Sequence, residues 1–467
     1  MAAATSAMIL LLAVVLSGFA YRLVKGVPLP LVQIAFGAGL TFASGEATPL
    51  EPEFFLFFFI PPLLFADARR YPKREFIRLW KPITTLALGL VVFTVIGAGY
   101  FLDWLVPSIP LPVAFAIAAV LSPTDPVAVS AITAATPVPR TMMHLLEGEA
   151  LLNDATGLVC FRFAVAAMVT GSFSVVAATG SFILVAFGGF LVGAALPWLV
   201  FGVQRVLARR GSEDPGAQVM ITLLQPFAAY WAAEHLLHLS GILAAVGAGL
   251  MLPYVEVLST HTAETRLSGN AVWRMVQFTL DGAIFVLLGQ QIPGIWANRH
   301  QVVAESSARN VWDLGLYILA MAAALTLLRF VWVVASARLA GLRAEQRGEQ
   351  VTRLPVRMAL AMAVAGVRGA ITLAGVLTLP LALPDGTAFP GRGLAIFLAS
   401  GVIMTSLIVA SIVLPFLLSD VDVVEGRKDR DDDERTRTQL ADVALRRIEA
   451  AREDRSVDAE PDILSEA

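Results

Sequence analysis

Long apolar segments dominate the sequence and constrain its fold more than any other feature. A helix needs about 20 mostly apolar residues to cross the hydrocarbon core of a bilayer. Thirteen segments approach that requirement, at residues 5–24, 29–45, 53–68, 83–105, 111–134, 145–170, 174–205, 217–237, 239–257, 272–291, 312–340, 356–380 and 393–418. They predict an all-α polytopic membrane protein with about thirteen transmembrane helices.

The chain is too poor in charge to be a soluble protein. Charged residues make up 15% of its 467 residues, against roughly 25% in an ordinary soluble domain. This composition excludes a soluble enzyme, a disordered chain and a nucleic-acid partner, and it makes membrane lipid the expected surroundings. The single cysteine, Cys160, excludes a disulfide scaffold and a zinc site built from cysteines.

The positions of lysine and arginine predict the orientation. If the C-terminus is cytoplasmic, the loops on that side of the thirteen segments hold nineteen basic residues, whereas the opposite loops hold only Arg299, Arg309 and Arg392. Because cytoplasmic loops are enriched in basic residues, we expect an external N-terminus and a cytoplasmic C-terminus. The first segment has no basic residues before it, so we expect a retained helix and not a signal peptide.

The sequence divides into a membrane domain, residues 1–418, and a charged tail, residues 419–467. The tail contains an acidic run from Asp429 to Glu434, followed by a stretch whose apolar residues share one helical face. It could dock on a neighbouring surface, but its charge favours a frayed cytoplasmic segment, and its partner is unknown.

The segment at 111–134 is interrupted near its middle by Pro123 and Pro126. Each proline removes a backbone donor and disfavours helix in the residue before it, so we expect an unwound stretch there. Such a stretch is tolerated at membrane depth only where it lines a cavity or is buried in protein. Thr124 and Asp125 add side-chain oxygens at this point, and Asp125 is also a candidate cap for the following half-helix.

The segment at 145–170 carries three carboxylates in an otherwise apolar helix, Glu147, Glu149 and Asp154. Glu149 and Asn153 share a helical face, and Asp154 lies about 100° further round. Acids this close do not both ionise readily unless a cation lies beside them. A carboxylate that either a proton or a cation can neutralise suits an exchange site, whereas the alternative is a salt-bridged packing cluster.

Two arginines lie deep in other segments and need acidic or carbonyl partners. We expect Arg329 to pair with Glu149, which would leave Asp154 free to titrate. Arg368 lies between glycines in a second interrupted segment, and we expect it to face the Asp125 region and offset half-helix dipoles there. The two interruptions fall in separate halves of the chain, which is typical of transporters built from repeats.

Three other charged residues leave their roles open. Asp281 lies mid-segment, either on the transport pathway or hydrogen-bonded in the core. Arg162 either extends to the outer surface or pairs with an acid, and Asp67 is interpreted as half of an interfacial pair with nearby basic residues. Nothing in the sequence resembles a Gly-rich nucleotide-binding loop followed by Lys and Ser or Thr, so we expect an ion gradient to drive transport, with no enzyme activity and no cofactor.

Four motifs together resemble the monovalent cation/proton antiporter-1 family, the sodium/hydrogen exchangers, and in particular its prokaryotic NhaP-like members. They are Pro-Pro-Leu-Leu-Phe from Pro61, Ser-Pro-Thr-Asp-Pro-Val from Ser122, Glu-Gly-Glu-Ala-Leu-Leu-Asn-Asp-Ala-Thr-Gly from Glu147 and Gly-Val-Arg-Gly-Ala from Gly366. The resemblance covers residues 5–418. It implies an inverted-repeat fold of thirteen helices with two crossed, broken helices, a homodimer, and alternating access through movement of a core domain.

The resemblance also implies roles for individual residues. Asp154 would bind the cation and the proton, and Asn153 would mark electroneutral exchange. Thr124 and Asp125 would supply oxygens to Na⁺ together with Asp154, and Asp281 would support the site. Glu149 and Arg329 would form a structural ion pair, and Arg368 would lie in the second unwound region.

The sequence thus predicts electroneutral exchange of Na⁺ or Li⁺ for H⁺ across a plasma membrane, in bacteria the inner membrane. Many prokaryotic relatives have Ser after the second Glu, where this chain has Ala150, so one ligand is lost and K⁺/H⁺ exchange remains an alternative. A membrane sensor that keeps the fold, transports nothing and signals through its tail is the alternative from another functional class.

Overall fold

The structure, a computed structural model, describes residues 2–24, 26–45, 51–133, 138–171, 175–208, 215–258, 263–306, 308–348 and 354–419. Among these residues the regular structure is helical, apart from an isolated bridge between Ala382 and Ala388. The predicted all-α membrane fold is therefore confirmed. The predicted tail lies outside the described residues from position 420 onward.

The first half of the chain forms nine helices. In chain order they are α1 (Ala2–Leu23), α2 (Leu29–Ser44), α3 (Pro52–Phe58), α4 (Ile60–Arg70), α5 (Lys73–Thr84), α6 (Val91–Leu105), α7 (Leu111–Leu121), α8 (Pro126–Ile132) and α9 (Arg140–Thr170). A π-helical segment, Thr85–Leu90, joins α5 to α6. It begins three residues after Pro82, whose missing N–H interrupts the regular hydrogen-bond ladder.

The second half forms nine more. They are α10 (Val175–Ala208), α11 (Pro215–Trp231), α12 (Gly241–Leu258), α13 (Ala263–Ala297), α14 (Arg299–Glu305), α15 (Val311–Gln346), α16 (Val356–Val364), α17 (Ala370–Leu377) and α18 (Arg392–Leu418). A second π-helical segment, Ala232–Leu236, follows α11 directly.

The positions of the helices agree with the predicted apolar segments, but the ends of the helices differ from the predicted bounds. Each of the thirteen segments falls on one helix or on consecutive helices. Within the described residues, eight helical stretches are long and apolar enough to cross a membrane by themselves, and α7 with α8 makes a ninth, bent by 47°. The segment predicted at 272–291 extends to Ala263–Ala297, because the hydrogen-bonded helix continues through polar residues that an apolar count leaves out.

The break between α7 and α8 falls where the two prolines predicted it. Asp125 caps α8, since its Oδ1 accepts hydrogen bonds from Val127 N at 2.8 Å and from Ala128 N at 3.4 Å. The carboxylate thus satisfies two backbone donors that the start of a helix leaves without partners. This agrees with the predicted cap, and Asp125 lines a cavity as well.

A second break separates α16 from α17, and it lies directly against the first. Asp125 N donates to Val367 O at 2.8 Å, which joins the two breaks through their backbones. A Cβ atom on Gly369 would collide with the carboxylate of Asp125. Only glycine therefore allows the approach observed here.

Helix α9 runs past both breaks. It packs against α7, α8, α4 and the π-helical segment that follows α5. Its central residues are buried, whereas α10 and α15 expose large apolar side chains such as Leu184, Leu199 and Leu327. Exposed apolar faces on long helices are what contact with lipid requires.

Candidate functional site

Glu149 on α9 and Arg329 on α15 form a buried, bidentate ion pair. Arg329 Nη1 lies 2.5 Å from Glu149 Oε1, and Nη2 lies 2.7 Å from Oε2. The two side chains are only 1% and 2% exposed. The third nitrogen of the guanidinium, Nε, donates a hydrogen bond to Met362 O at 2.9 Å. Both carboxylate oxygens of Glu149 are therefore engaged, and its charge is neutralised within the protein.

Thr124, in the first break, connects this ion pair to Asn153. The Thr124 hydroxyl donates to Glu149 Oε1 at 3.3 Å and accepts a hydrogen bond from Asn153 Nδ2 at 3.1 Å. Asn153 is fully buried, and no described residue forms a hydrogen bond with its Oδ1. The chain of contacts thus ends at an unused carbonyl oxygen beside Asp154.

Asp154 has none of these partners. Its side chain is 5% exposed. Among the described residues, no group donates a hydrogen bond to its carboxylate or forms a salt bridge with it. It lines a cavity of about 440 Å³, and Thr124 and Asp125 line the same cavity. Asp125 and Asp67 are near enough to Asp154 to interact with it electrostatically. A buried, unpaired carboxylate on a cavity wall is expensive, and a bound proton or cation would remove that cost.

Two other acidic residues singled out in the sequence, Asp67 and Asp281, line the same cavity. Asp281 faces it from α13 and Asp67 from the end of α4. Among the described residues, Asp67 does not form the interfacial ion pair expected from the sequence. Its Oδ1 accepts a hydrogen bond from Gln277 Nε2 at 2.9 Å, because α4 packs against α13. Gln277 was missed because one polar residue in a long apolar helix carries no motif.

Arg368 lies in the second break and is 3% exposed. Its Nε donates to Leu121 O at 2.9 Å, and its Nη1 donates to Gly366 O. Leu121 is the last residue of α7, and Gly366 lies just beyond the end of α16. The guanidinium therefore lies where two half-helices present carbonyl groups, the negative end of the helix dipole. Its contact with the first break agrees with the position expected from the sequence.

Arg162, on the same helix as Glu149 and Asp154, pairs with an acid. Its Nη2 lies 2.7 Å from Glu234 Oε1, and its side chain is 60% exposed. Glu234 Oε2 also accepts a hydrogen bond from Gly241 N, the first residue of α12. Neither residue lines the cavity, and the arginine side chain is largely exposed.

The residues that the structure describes contain no group of three or more His, Cys, Asp or Glu side chains that could hold a metal ion. A resident metal centre of the transition-metal kind is therefore not formed by these residues. A transported alkali cation would use the mixed oxygens of carboxylates, amides, hydroxyls and backbone, which are the ligands that hard cations prefer.

Comparison with known proteins identifies the family. A family model described as "Sodium/hydrogen exchanger, transmembrane" matches residues 8–420 of the chain. The chain belongs to the sodium/hydrogen exchanger family. As an exchanger it is a multi-pass membrane antiporter of the Na⁺/H⁺ exchange class and not an enzyme, as the sequence predicted.

Relatives with known sequences agree with this membership. The exchanger is 43% identical to the uncharacterized Na⁺/H⁺ exchanger YjcE of Escherichia coli over 98% of this chain and 83% of the relative. It is also 43% identical to a sodium, potassium, lithium and rubidium/H⁺ antiporter of Bacillus pumilus, over 88% of this chain but only 60% of that protein.

The fold is similar to that of the sodium proton antiporter MjNhaP1 from Methanocaldococcus jannaschii. The TM-score is 0.68 at 16% identity, over 90% of this chain and 99% of that one. At this identity the similarity concerns the fold of the exchanger, and the roles of its residues have to be argued from their own contacts.

Proposed function

We propose that the protein exchanges Na⁺ or Li⁺ for H⁺ across the plasma membrane by an electroneutral, alternating-access mechanism in which Asp154 binds cation and proton in turn. One observation carries the proposal. Asp154 is a buried carboxylate on the wall of a cavity, without a partner in the described part of the chain, and it lies five residues from a glutamate whose charge Arg329 already neutralises.

The same carboxylate can hold a proton or a monovalent cation but not both. Either species neutralises Asp154, whereas the empty site carries a charge that is expensive to move through a dry barrier. Only the loaded states therefore cross. Since Asn153 beside it is an amide and does not titrate, one proton exchanges for one cation, and no net charge moves.

The cation ligands would be oxygens that converge near Asp154. Thr124 and Asp125 line the cavity with it, and Oδ1 of Asn153 is a buried acceptor that receives no hydrogen bond from the described residues. Ala150 also lines the cavity and offers only a methyl group. A small ligand set of this kind discriminates weakly among alkali ions. The name of the Bacillus pumilus relative includes potassium, so K⁺/H⁺ exchange is the second candidate.

The proposed orientation is supported by basic residues near the cavity. Arg70, Tyr71 and Pro72, at the turn between α4 and α5, are among the residues that line it. This turn belongs to the loops whose basic residues predict a cytoplasmic location. The observed form would then be open to the cytoplasm, with the N-terminus outside, the C-terminus inside and residues 419–467 as a cytoplasmic tail.

The remaining assignments rest on the family. Residues 1–418 would form the transport domain, and two copies would associate as a homodimer. Arg368 and the two breaks would keep the half-helix ends fixed around the site while the core moves. Asp281 would support the site from α13.

Exchange in proteoliposomes that enclose a pH-sensitive dye tests the proposal. Wild-type protein should alkalinise acid-loaded vesicles when Na⁺ or Li⁺ is added outside, with no effect of a membrane potential set by K⁺ and valinomycin in the Na⁺ assay. Asp154→Asn should reduce the rate by about 100-fold or more, since a neutral amide cannot exchange a proton. Asp103→Asn, which removes an acid outside the cavity, is the control. Full exchange by Asp154→Asn would exclude the mechanism.

A further inference from the structure

We propose that Asp67, Gln277 and Asp281 form a second binding subsite for an alkali cation in the cavity that Asp154 also lines. This inference rests on the proposed function, because it assigns the subsite to the cation that the protein carries. The subsite would hold a cation in the cavity before Asp154 binds it.

The three residues come together from two helices that pack against each other. Gln277 and Asp281 are four residues apart on α13 and therefore share a helical face. Asp67 approaches from the last turn of α4 and accepts the hydrogen bond from Gln277 Nε2 at 2.9 Å. All three line the cavity.

Gln277 supplies the observation that points to a ligand. Its side chain is 5% exposed, and its Oε1 has no hydrogen-bond partner among the residues that the structure describes. The hydrogen bond to Asp67 requires the NH₂ end of the amide to face that carboxylate, so the unpartnered atom is the carbonyl oxygen. A buried acceptor without a donor is rare and destabilising, and a cation beside it would supply the missing partner.

The available ligands are all oxygens, from two carboxylates and one amide, which is a set that hard cations prefer. Neither Asp67 nor Asp281 forms an ion pair with any residue that the structure describes. The exposed Arg70 is near enough to interact electrostatically with both acids. Its positive charge reduces the negative charge of the subsite, which favours a monovalent over a divalent cation.

The subsite is electrostatically connected to the exchange site. Asp67 interacts with Asp154, and Asp281 interacts with Asp67. A cation held by Asp67 and Asp281 would therefore lie in the electrostatic field of Asp154. The cavity would then gather cations at its wall and pass them to Asp154, so the subsite should affect the apparent affinity for Na⁺ more than the maximal rate.

The binding test uses the full chain carrying Asp154→Asn, which removes the exchange site. NaCl should still raise the thermal unfolding temperature of this variant relative to choline chloride at equal ionic strength, because a ligand that binds only the folded state stabilises it. Adding Asp281→Asn should abolish the rise, whereas adding Asp103→Asn should preserve it. If the Asp281 variant does not fold, Gln277→Leu on the same background replaces it.

Three results of this test would overturn the subsite. The first is the absence of Na⁺ stabilisation in Asp154→Asn, and the second is stabilisation that survives both the Asp281 and the Gln277 substitutions. The third is a response to MgCl₂ and none to NaCl, which would show a divalent site. Failure of the proposed function is detected separately, in the vesicle assay: vesicles with wild-type protein would then show no proton movement when the cation is added.

A transport measurement gives an independent readout. Gln277→Leu, with Asp154 intact, should raise the apparent KM for Na⁺ by roughly 2- to 10-fold, which is what the loss of one polar ligand corresponds to. The maximal rate should change by less. Gln277→Asn, which keeps an amide, should recover part of the affinity. An unchanged KM in Gln277→Leu would contradict the proposal.

Discussion

Glu149 and Asp154 lie five residues apart on α9, and both are buried carboxylates, yet their surroundings are opposite. Glu149 is held by both terminal nitrogens of Arg329 and by the Thr124 hydroxyl. Asp154 faces a cavity and has no donor among the described residues. One acid has permanent partners inside the protein, and the other has room for a transient one.

The difference separates two uses of a buried charge. A carboxylate in a bidentate pair keeps its charge and its position, because either loss would leave the arginine buried and unpaired. A carboxylate without a partner is neutralised by whatever ion reaches it. On α9 the first arrangement holds the helix against α15, and the second supplies the exchange site that we propose.

Breaking the ion pair should give the largest loss of stability. Glu149→Gln leaves the Arg329 guanidinium buried without a counter-charge, which costs about 3–5 kcal/mol in comparable buried pairs. We expect a large fall in the unfolding temperature, measured by the loss of monodisperse protein after heating in detergent. Asp154→Asn is the matched control, because amidation of an unpaired acid should leave stability unchanged or raise it.

The double variant Glu149→Gln with Arg329→Met sharpens the same comparison. Replacing both partners removes the unpaired charge, so we expect the double variant to be more stable than Glu149→Gln alone. If the two substitutions were simply additive, the pair would not be the unit that holds α9 to α15. If Asp154→Asn destabilised as much as Glu149→Gln, the contrast between the two acids would be wrong.

Much of this architecture could be predicted from the sequence, because bilayers impose strong local rules. Apolar length located the segments, and prolines located the first break, since Pro123 and Pro126 act within their own helix. The pairing of Arg329 with an acid could also be inferred, because a deep arginine needs a partner. Ends of helices were predicted less well, since α13 continues into polar sequence at Ala263.

The cavity wall could not be predicted in the same way. Asp67 and Gln277 are far apart in the sequence, and their contact depends on how α4 packs against α13. The approach of Gly369 to Asp125 likewise depends on the crossing of two breaks. Such contacts are set by tertiary packing, and a single sequence contains no local pattern that reports them.

Weakening the contact between the ion pair and Asn153 should have an intermediate effect. Thr124→Val removes the hydroxyl that joins Asn153 to Glu149, and we expect a loss of about 1–2 kcal/mol in stability because both polar neighbours lose a bond. The apparent KM for Na⁺ should also rise in the vesicle assay. Thr133→Val removes another buried hydroxyl, one that bonds to Val129 O outside the cavity, and should leave the KM unchanged. An equal change of the KM in Thr124→Val and Thr133→Val would show that Thr124 does not contribute to the cation site.

The smallest effect is expected for another charged residue of α9, Arg162. Its pair with Glu234 has a short distance of 2.7 Å, but the arginine side chain is 60% exposed, so water and salt screen the attraction. Arg162→Gln should therefore reduce stability by less than about 1 kcal/mol, and the difference from wild type should shrink further in high salt. Glu234 keeps its hydrogen bond from Gly241 N, which leaves no buried group without a partner. A loss as large as that of Glu149→Gln would show that burial is not what distinguishes the Arg162–Glu234 pair from the Glu149–Arg329 pair.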